Sequence, residues 1–450
     1  MEDFTVAKDF TNKQAIAALM KGKNIFLTGQ AGTGKSHVLT QYILDCEKKN
    51  KKVLVCAPTG IAALNLNGIT MHQAFNIPIP AYGHYPNEIK KGKIKQAMEA
   101  DVIIIDEISM CRVDVFEYFG YVIEFLQAQN RNPQIIVSGD FFQLPPVIPQ
   151  DEMKYMKKYG FDTSGYCFTS RYWKKMNFKP VNLTQSIRQT DNEFVENLGL
   201  MRVGNPKCLA YFNQFVRAPL NDNDIIKICA SNSDVDVINQ QALEGIAQKE
   251  HEYEAQITGN YDKEFPTKEK LILKVGAKVI FVANDVAYNK YHNGSIGIIT
   301  QCRKDHVRVS IDGAKSIKVS YKEWVLSDAD ATDATSRAVQ LGTFSQLPIK
   351  LAYGMTMHKT QGQTYDAAII SPGNFTDGQL YVALSRLSNT NGLYLTREIE
   401  EEDIKTNTMV SKFYKDFSYT VPKAKIKKRE MLEQEAQNAK SARRTKKKTL

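Results

Sequence analysis

The chain has little that would staple or anchor it. Its seven cysteines (Cys46, Cys56, Cys111, Cys167, Cys208, Cys229, Cys302) are odd in number, scattered, and never spaced as C-x-x-C. That excludes a disulfide framework and the common zinc sites, and it points to a reducing compartment. No apolar run approaches the roughly 20 residues that a membrane-spanning helix needs. The opening "MEDFTVAKDF" carries acids where a signal peptide has a basic and then an apolar run, so no secretory leader is expected. A cytoplasmic protein is the expectation, or a nuclear one in a eukaryotic cell. Strong charge is missing too, once its distribution is considered. The formal net charge is +10, but residues 423–450 hold eleven Lys or Arg against three Glu. The rest of the chain carries 48 basic and 46 acidic side chains, so overall pI is no argument for a nucleic-acid partner. The basic tail reads as a frayed helix or an unstructured segment. It either adds salt-sensitive attraction to phosphates or keeps the chain in solution.

What the sequence does have is order. Its 450 residues, 43% hydrophobic and 24% charged, are those of an ordinary globular chain of roughly two to four domains. Four short apolar runs in the first third each stop at a chemically loaded turn. "NIFLTG" enters a glycine-rich loop, "KVLVCA" enters "PTG", "DVIIID" meets Glu107, and "QIIVSG" meets Asp140. β-branched runs alternating with helical patterns predict an α/β fold with a buried parallel sheet. Ligands bind such sheets at the carboxyl ends of the strands, where all four turns fall.

The remaining chain divides by texture. Residues 76–99, rich in Pro, Gly, aromatics and Lys, read as an insertion projecting from a first lobe over 1–182. A second α/β lobe is expected over 183–270 and 343–400, interrupted at 271–342 by short strands that suggest a small β-barrel. Residues 401–422 read as a helical segment.

"GQAGTGKS", Gly29 to Ser36, matches G-x-x-x-x-G-K-[ST] between a strand and a helix. Backbone N–H groups of Gly29, Ala31, Gly32, Thr33 and Gly34 would cradle phosphates, aided by the field of the helix N-terminus. Lys35 would reach the β- and γ-phosphates, and Ser36 would ligate magnesium. Asp106, at the end of "VIIID", suits a magnesium contact, and Glu107 could polarise an attacking water. ATP and Mg2+ are the expected cofactors. Arg188 in "LTQSIRQ" and Arg386 in "YVALSR" are candidate cations for the transition-state charge, both read as parts of the second lobe.

Taken in order, "FTNKQAIA", "GQAGTGKS", "APTGIAA", "TMHQAF", "VIIIDEISM", "GDFFQLPPV", "LTQSIRQ", "MTMHKTQGQT" and "YVALSR" resemble the Pif helicase family. That family stands in the 5′-to-3′ branch of helicase superfamily one, related to RecD and phage Dda. The resemblance spans Phe10 to about Thr396. "GDFFQLPPV" with "HKTQGQT" is far more specific than the P-loop.

The resemblance implies two RecA-like lobes with ATP in the cleft between them and single-stranded DNA across their tops. By that likeness Gln14 reads the adenine edge, Gln143 sits against the γ-phosphate, Gly362 belongs to the nucleotide site, and Arg188 and Arg386 reach into the cleft. Pro58, Thr59, His72, Thr356, His358 and Lys359 match positions that hold the DNA strand. Backbone groups, hydroxyls and a lysine suit phosphate contacts. His358 could equally be a hydrogen-bonded core histidine. Phe75, Tyr82 and Tyr85 either stack on bases or pack the insertion. The inserted barrel corresponds to the family's SH3-like module, and the long N-terminal extension of some eukaryotic members is not expected. Forked or structured DNA, repair, recombination or replication work, and a monomeric active form complete the reading. Its rivals are a P-loop remodelling ATPase acting on protein and a RecD-like subunit of a larger complex.

Overall fold

The computed structural model describes residues 9–83, 89–219, 225–259, 265–285, 290–311, 313–327, 340–360, 363–373 and 376–418. Tyr85, Gly362 and the basic tail lie outside them, as do the side chains of His358 and Lys359. The chain forms two compact units. The first comprises Met1–Phe212, Phe375–Asn389 and Ile399–Leu450; the second comprises Asn213–Asn374 and Thr390–Glu398.

The first unit is built on a seven-stranded parallel sheet: β1 (Asp9–Phe10), β2 (Ile25–Gly29), β3 (Val53–Ala57), β4 (Ile69–Thr70), β5 (Val102–Ile105), β6 (Gln134–Ser138) and β7 (Lys179–Leu183). Their spatial order is β1-β7-β2-β6-β5-β3-β4. The central strands are continuous apolar runs because both faces are covered, and every residue of β2, β5 and β6 is buried. One face packs α1 (Asn12–Leu19) and α2 (Lys35–Glu47) through Leu19, Val38, Leu39 and Tyr42. The two short helices α3 (Gly60–Leu64) and α4 (Met71–Phe75) follow β3 and β4. The opposite face carries α5 (Val113–Ala128), whose Val115, Phe116, Phe119 and Val122 repeat at helical spacing and join a large aromatic cluster. Further helices are α6 (Met153–Lys158), α7 (Asn192–Arg202), α8 (Gln379–Leu384) and α9 (Thr408–Ser418). α9 sends Val410 and Tyr414 into the same aromatic cluster.

The second unit holds a four-stranded parallel sheet in the order Gly354–Thr356, Ile226–Cys229, Ala368–Ile370, Leu393–Leu395. Antiparallel strands fill the interval between its first two sequence segments. Five of them form one sheet in the order Ile317–Ser320, His306–Ile311, Ile296–Cys302, Lys278–Phe281, Ile349–Leu351. Its apolar side, with Val279, Phe281, Ile299, Val307 and Val309, makes a core of its own.

Three expectations change. The antiparallel region runs from His251 to Leu351, wider than 271–342, because the charged ribbon His251–Glu254 pairs with Lys270–Leu273. Residues 183–212 and 375–389 fold with the P-loop unit rather than with the second lobe. The insertion at 76–99 is not wholly outside the core, since Ile77, Ala81, Ile94 and Ala97 join the aromatic cluster. Phe75 is buried with them, its ring 4.8 Å from that of Phe119, so it packs the insertion instead of offering a stacking face. Tyr82 stacks on Tyr155 at 5.7 Å and is half-buried.

Candidate active site

The loop after β2 needs its glycines for specific steric reasons. Gly34 caps α2 at φ +86°, a left-handed conformation costly for any residue with a Cβ. At Gly32 a Cβ would stand 2.9 Å from Arg188 Cβ and 2.5 Å from Gln189 Oε1. The segment carrying those two residues is bonded directly to the loop, Ile187 N and Arg188 N donating to Gly32 O at 2.8 and 3.2 Å. Thr33 is buried and donates its hydroxyl to Gln30 O at 2.8 Å. Lys35 Nζ donates to the carbonyls of Gly29 and Gln30 at 2.9 and 3.1 Å. Burial pulls the Lys35 ammonium below its ordinary pKa, against the opposing fields of Asp140, Glu107 and Asp106. A lysine at a helix N-terminus, with the free N–H groups of the first turn beside it, is placed to meet an anion. Ser36, in the first turn of α2, is exposed.

Asp106 and Glu107 leave β5 toward the same place. Asp106 is buried, and that burial raises its carboxyl pKa, with Lys35 opposing. Glu107 takes φ +51°, ψ +44°, a left-handed conformation that, glycine apart, only asparagines share among the described residues. Such outliers gather at working sites. The hydroxyl of Ser36 and the carboxylate of Asp106 are hard oxygen donors, the donor class that suits Mg2+. Among the described residues no group of three or more His, Cys, Asp or Glu forms a metal cage.

The two arginines require a correction of origin. Both fold with the P-loop in the first unit and are not supplied by the second. Arg188 is half-buried, donates Nη1 to Ser385 O at 3.0 Å, and feels the field of Glu107. Arg386 is 3% exposed and turned onto its own helix, Nε reaching Val382 O and Nη2 reaching Ser385 Oγ, each at 3.0 Å. Gln143 is buried, with its backbone N–H on Asp140 O at 2.9 Å. Gly378, just before α8, lies so close that a Cβ there would be 2.6 Å from Gln143 O. Gln14 is exposed and engaged in a capping box with Thr11, its Oε1 accepting from Thr11 N at 3.1 Å.

Sequence reasoning missed a buried polar cluster beside these residues. Asp140 is fully buried and clamped by Arg202 of α7 through two bonds of 2.8 Å. Burial works against the ionised form, but Arg202 and Lys35 overrule it and hold the carboxyl below its usual range. Tyr381 of α8 accepts the Ala31 N–H at 2.7 Å and lies 3.4 Å from Asp140. Gln189 donates to Ser385 O and Leu387 O at 3.2 and 2.9 Å, fastening α8 to the loop that touches Gly32. Tyr381 stands inside "YVALSR" and was within reach of motif reading. Arg202 and Tyr414 carry no local signal.

The residues matched to a DNA strand fall on strand ends. Ala57 of β3 pairs with Thr70 of β4, so Pro58 and Thr59 leave the sheet beside Met71 and His72. Thr59 caps α3, accepting from Ala62 N at 3.3 Å. His72 is half-buried, and burial lowers its pKa below the ordinary imidazole value, with Asp114 and Arg112 in opposition to each other. In the second unit Thr356 ends its strand opposite Cys229 and is 6% exposed. His358 and Lys359 follow in the short helix Met357–Thr360.

Residues 8–200 match the PIF1-like helicase family. The chain is 31% identical over 435 residues to the ATP-dependent DNA helicase Pif1 of Campylobacter jejuni, covering 88% of this chain and 95% of that protein. A Bacteroides Pif1 helicase solved in complex with ADP-AlF3 and single-stranded DNA superposes with a TM-score of 0.74 at 30% identity, over 93% of this chain and 98% of that one. A structure of two coordinating Pif1 helicases, described as a basis for DNA unwinding at forked double-stranded DNA, gives the same score and identity over 92% and 98%.

Proposed function

Since the chain belongs to the PIF1-like helicase family, we propose that it is an ATP-dependent DNA helicase that moves 5′ to 3′ on single-stranded DNA and opens forks. The observation that carries the chemistry is the convergence, inside one folding unit, of Lys35, Asp106, Glu107 and Arg188 around the P-loop. Lys35 and the backbone amides bind the phosphates of ATP. Glu107, held in its left-handed conformation, takes the proton of the attacking water. Arg188 offers fixed donors to the charge that spreads over the transferred phosphoryl group. Ser36 and Asp106 would hold Mg2+, which would supply neutralisation of phosphate charge when bound. Gln143 is assigned to sensing the γ-phosphate, and Gln14 to the adenine. Arg386, turned onto its own helix, would have to change rotamer to touch a phosphate.

Coupling to DNA follows from two separate grips. Pro58, Thr59 and His72 belong to one unit, while Thr356, His358 and Lys359 belong to the other. Movement requires that ATP change the relative affinity of the two grips, because a ligand shifts an equilibrium only through differential binding. The antiparallel sheet of the second unit is assigned to the family's SH3-like module. Seven free cysteines fit a reducing cytoplasm or nucleus. Among the described residues no helix is long and apolar enough to cross a membrane.

A remodelling ATPase borrows its arginine from a neighbouring subunit, whereas Arg188 here lies in the same chain and unit as its P-loop. That favours a monomeric motor. Unwinding of matched duplexes with a 5′ or a 3′ single-stranded tail tests the reading. The 5′-tailed substrate should open with ATP and the 3′-tailed one should not; equal failure on both, with hydrolysis intact, would favour the remodelling ATPase.

A further inference from the structure

We propose that Tyr414, on the C-terminal helix α9, is a positioning residue of the nucleotide site that locks the P-loop strand to the loop carrying Gln143. This rests on the reading of Gly29–Ser36 as the ATP site.

The Tyr414 hydroxyl stands where two strands end. It is 2.9 Å from Thr28 Oγ1, one residue before the P-loop begins at Gly29. It accepts the Phe141 N–H at 3.2 Å, two residues before Gln143, and lies 3.5 Å from Asp140 Oδ1. One hydroxyl therefore ties the carboxyl ends of β2 and β6 at the depth where both working loops leave the sheet. Its ring stacks on Phe142 with centroids 5.1 Å apart and planes 11° from parallel. The Arg202 guanidinium lies over both rings, at 4.6 Å from Phe142 and 5.4 Å from Tyr414.

Counting protons shows why the hydroxyl matters. Tyr414 has one O–H to give and already accepts from Phe141, so that proton goes to Thr28 or Asp140. Tyr381 likewise accepts from Ala31 N and has its proton for Asp140. Asp140 thus joins the P-loop amide at Ala31 to α9 through two tyrosines, while Arg202 keeps it ionised. Burial raises the pKa of both phenols, so both keep the proton they donate. A phenylalanine would fill the same space with no hydroxyl to desolvate. α9 places one at the preceding position, Phe413, which packs on Phe168 at 4.3 Å. The polar atom at 414 is not needed for packing, and its partners are the two loops that bind and sense phosphate.

The test uses the full chain. Tyr414→Phe should lower kcat for ATP hydrolysis about ten-fold, with KM for ATP within two-fold, because Lys35 and the P-loop amides still bind phosphate. Backbone amide exchange at Phe141 and Gln143, read without nucleotide or DNA, should quicken about ten-fold. Val410→Ala, which removes buried packing from the same helix, should lower the melting temperature at least as much while leaving kcat near wild type. The inference is overturned if Tyr414→Phe keeps wild-type kcat and exchange, or if Val410→Ala loses kcat in proportion to its melting temperature. Wild-type protein that hydrolyses ATP equally with and without single-stranded DNA would defeat the helicase reading alone. The exchange comparison would still decide the role of Tyr414.

Discussion

The two units share a design, a parallel sheet with loops at its strand ends, yet they bury different chemistry. Every buried carboxylate among the described residues, Asp106, Asp114, Glu117, Asp140 and Asp403, belongs to the P-loop unit. Among the described residues the second unit buries one charged side chain, Lys274, and otherwise amides and hydroxyls such as Asn239, Thr343, Gln346 and Thr356. Asn239 shows their use, since its amide bonds Tyr353 N, Gly354 N and Gly354 O to hold the strand leading to Thr356. Burying a carboxylate costs several kcal/mol unless a cation or amide meets it. Two of the five, Asp106 and Asp140, bear that cost beside Lys35 of the P-loop, while Asp114 meets Arg112 and Glu117 meets Ser170 and Arg171 elsewhere in the unit. The other sheet needs only to present a backbone and a hydroxyl in fixed places, which amides accomplish at lower cost. On the proposed function, one unit is organised to change a phosphate and the other to hold one.

The sharpest way to break this contrast is to remove charge from the P-loop unit. Glu107→Gln keeps size and hydrogen bonding but abolishes the base, so kcat should fall about 1,000-fold. ATP affinity should stay within a few-fold, as measured by a fluorescent nucleotide. Undiminished turnover would strike Glu107 from the mechanism. The next largest effect is on stability. Asp140→Asn leaves the Arg202 guanidinium buried without its countercharge, which costs about 3 kcal/mol by urea unfolding. The sign with pH follows from the depressed carboxyl of Asp140. Its stabilisation is full above the unfolded value of about 3.9 and is lost as pH falls through the lower folded value. The advantage of the wild type over Asp140→Asn should therefore stay constant from pH 7 down to about 4 and shrink as the pH is taken lower. Equal stability of the two proteins at pH 7 would mean that the pair contributes nothing net, and an advantage that does not shrink below about pH 4 would mean that the Asp140 carboxyl is not depressed by folding.

These residues were not equally visible in the sequence. The P-loop, Asp106 and Glu107 could be read because each lies within a few residues of a strand end, and local pattern reports strand ends well. The cluster around Asp140 could not. Its partners arrive from 62 positions away in Arg202, 241 in Tyr381 and 274 in Tyr414. No periodicity links them. The lobe boundary at 182 failed for a related reason. The stretch after β7 resembles the start of a new α/β segment, but Ile187 and Arg188 bond Gly32 and are kept with the first sheet. Phe75 is a case that local pattern left open between stacking on a base and packing, and its contact with Phe119 decides for packing.

The finest prediction compares the two grips directly. Thr356→Val removes the hydroxyl of the second unit's strand end while keeping its shape, and His72→Gln does the equivalent in the first. A single hydrogen bond contributes about 0.5–1.5 kcal/mol, so each should weaken single-stranded DNA binding roughly three- to ten-fold. Salt and pH then separate them from a charged contact. His72 has its pKa pulled below the ordinary imidazole value by burial and is neutral at pH 7. Replacing it should leave the slope of log affinity against log salt unchanged, since no counterion is released by a neutral ring. In the wild type, binding should tighten only as pH drops below about 6.5, when the ring gains its proton beside a DNA phosphate. His72→Gln should abolish that rise and Thr356→Val should keep it. If the rise survives undiminished in His72→Gln and is removed by His358→Gln instead, the strand does not pass His72, and the grip of the first unit must be sought elsewhere on its sheet.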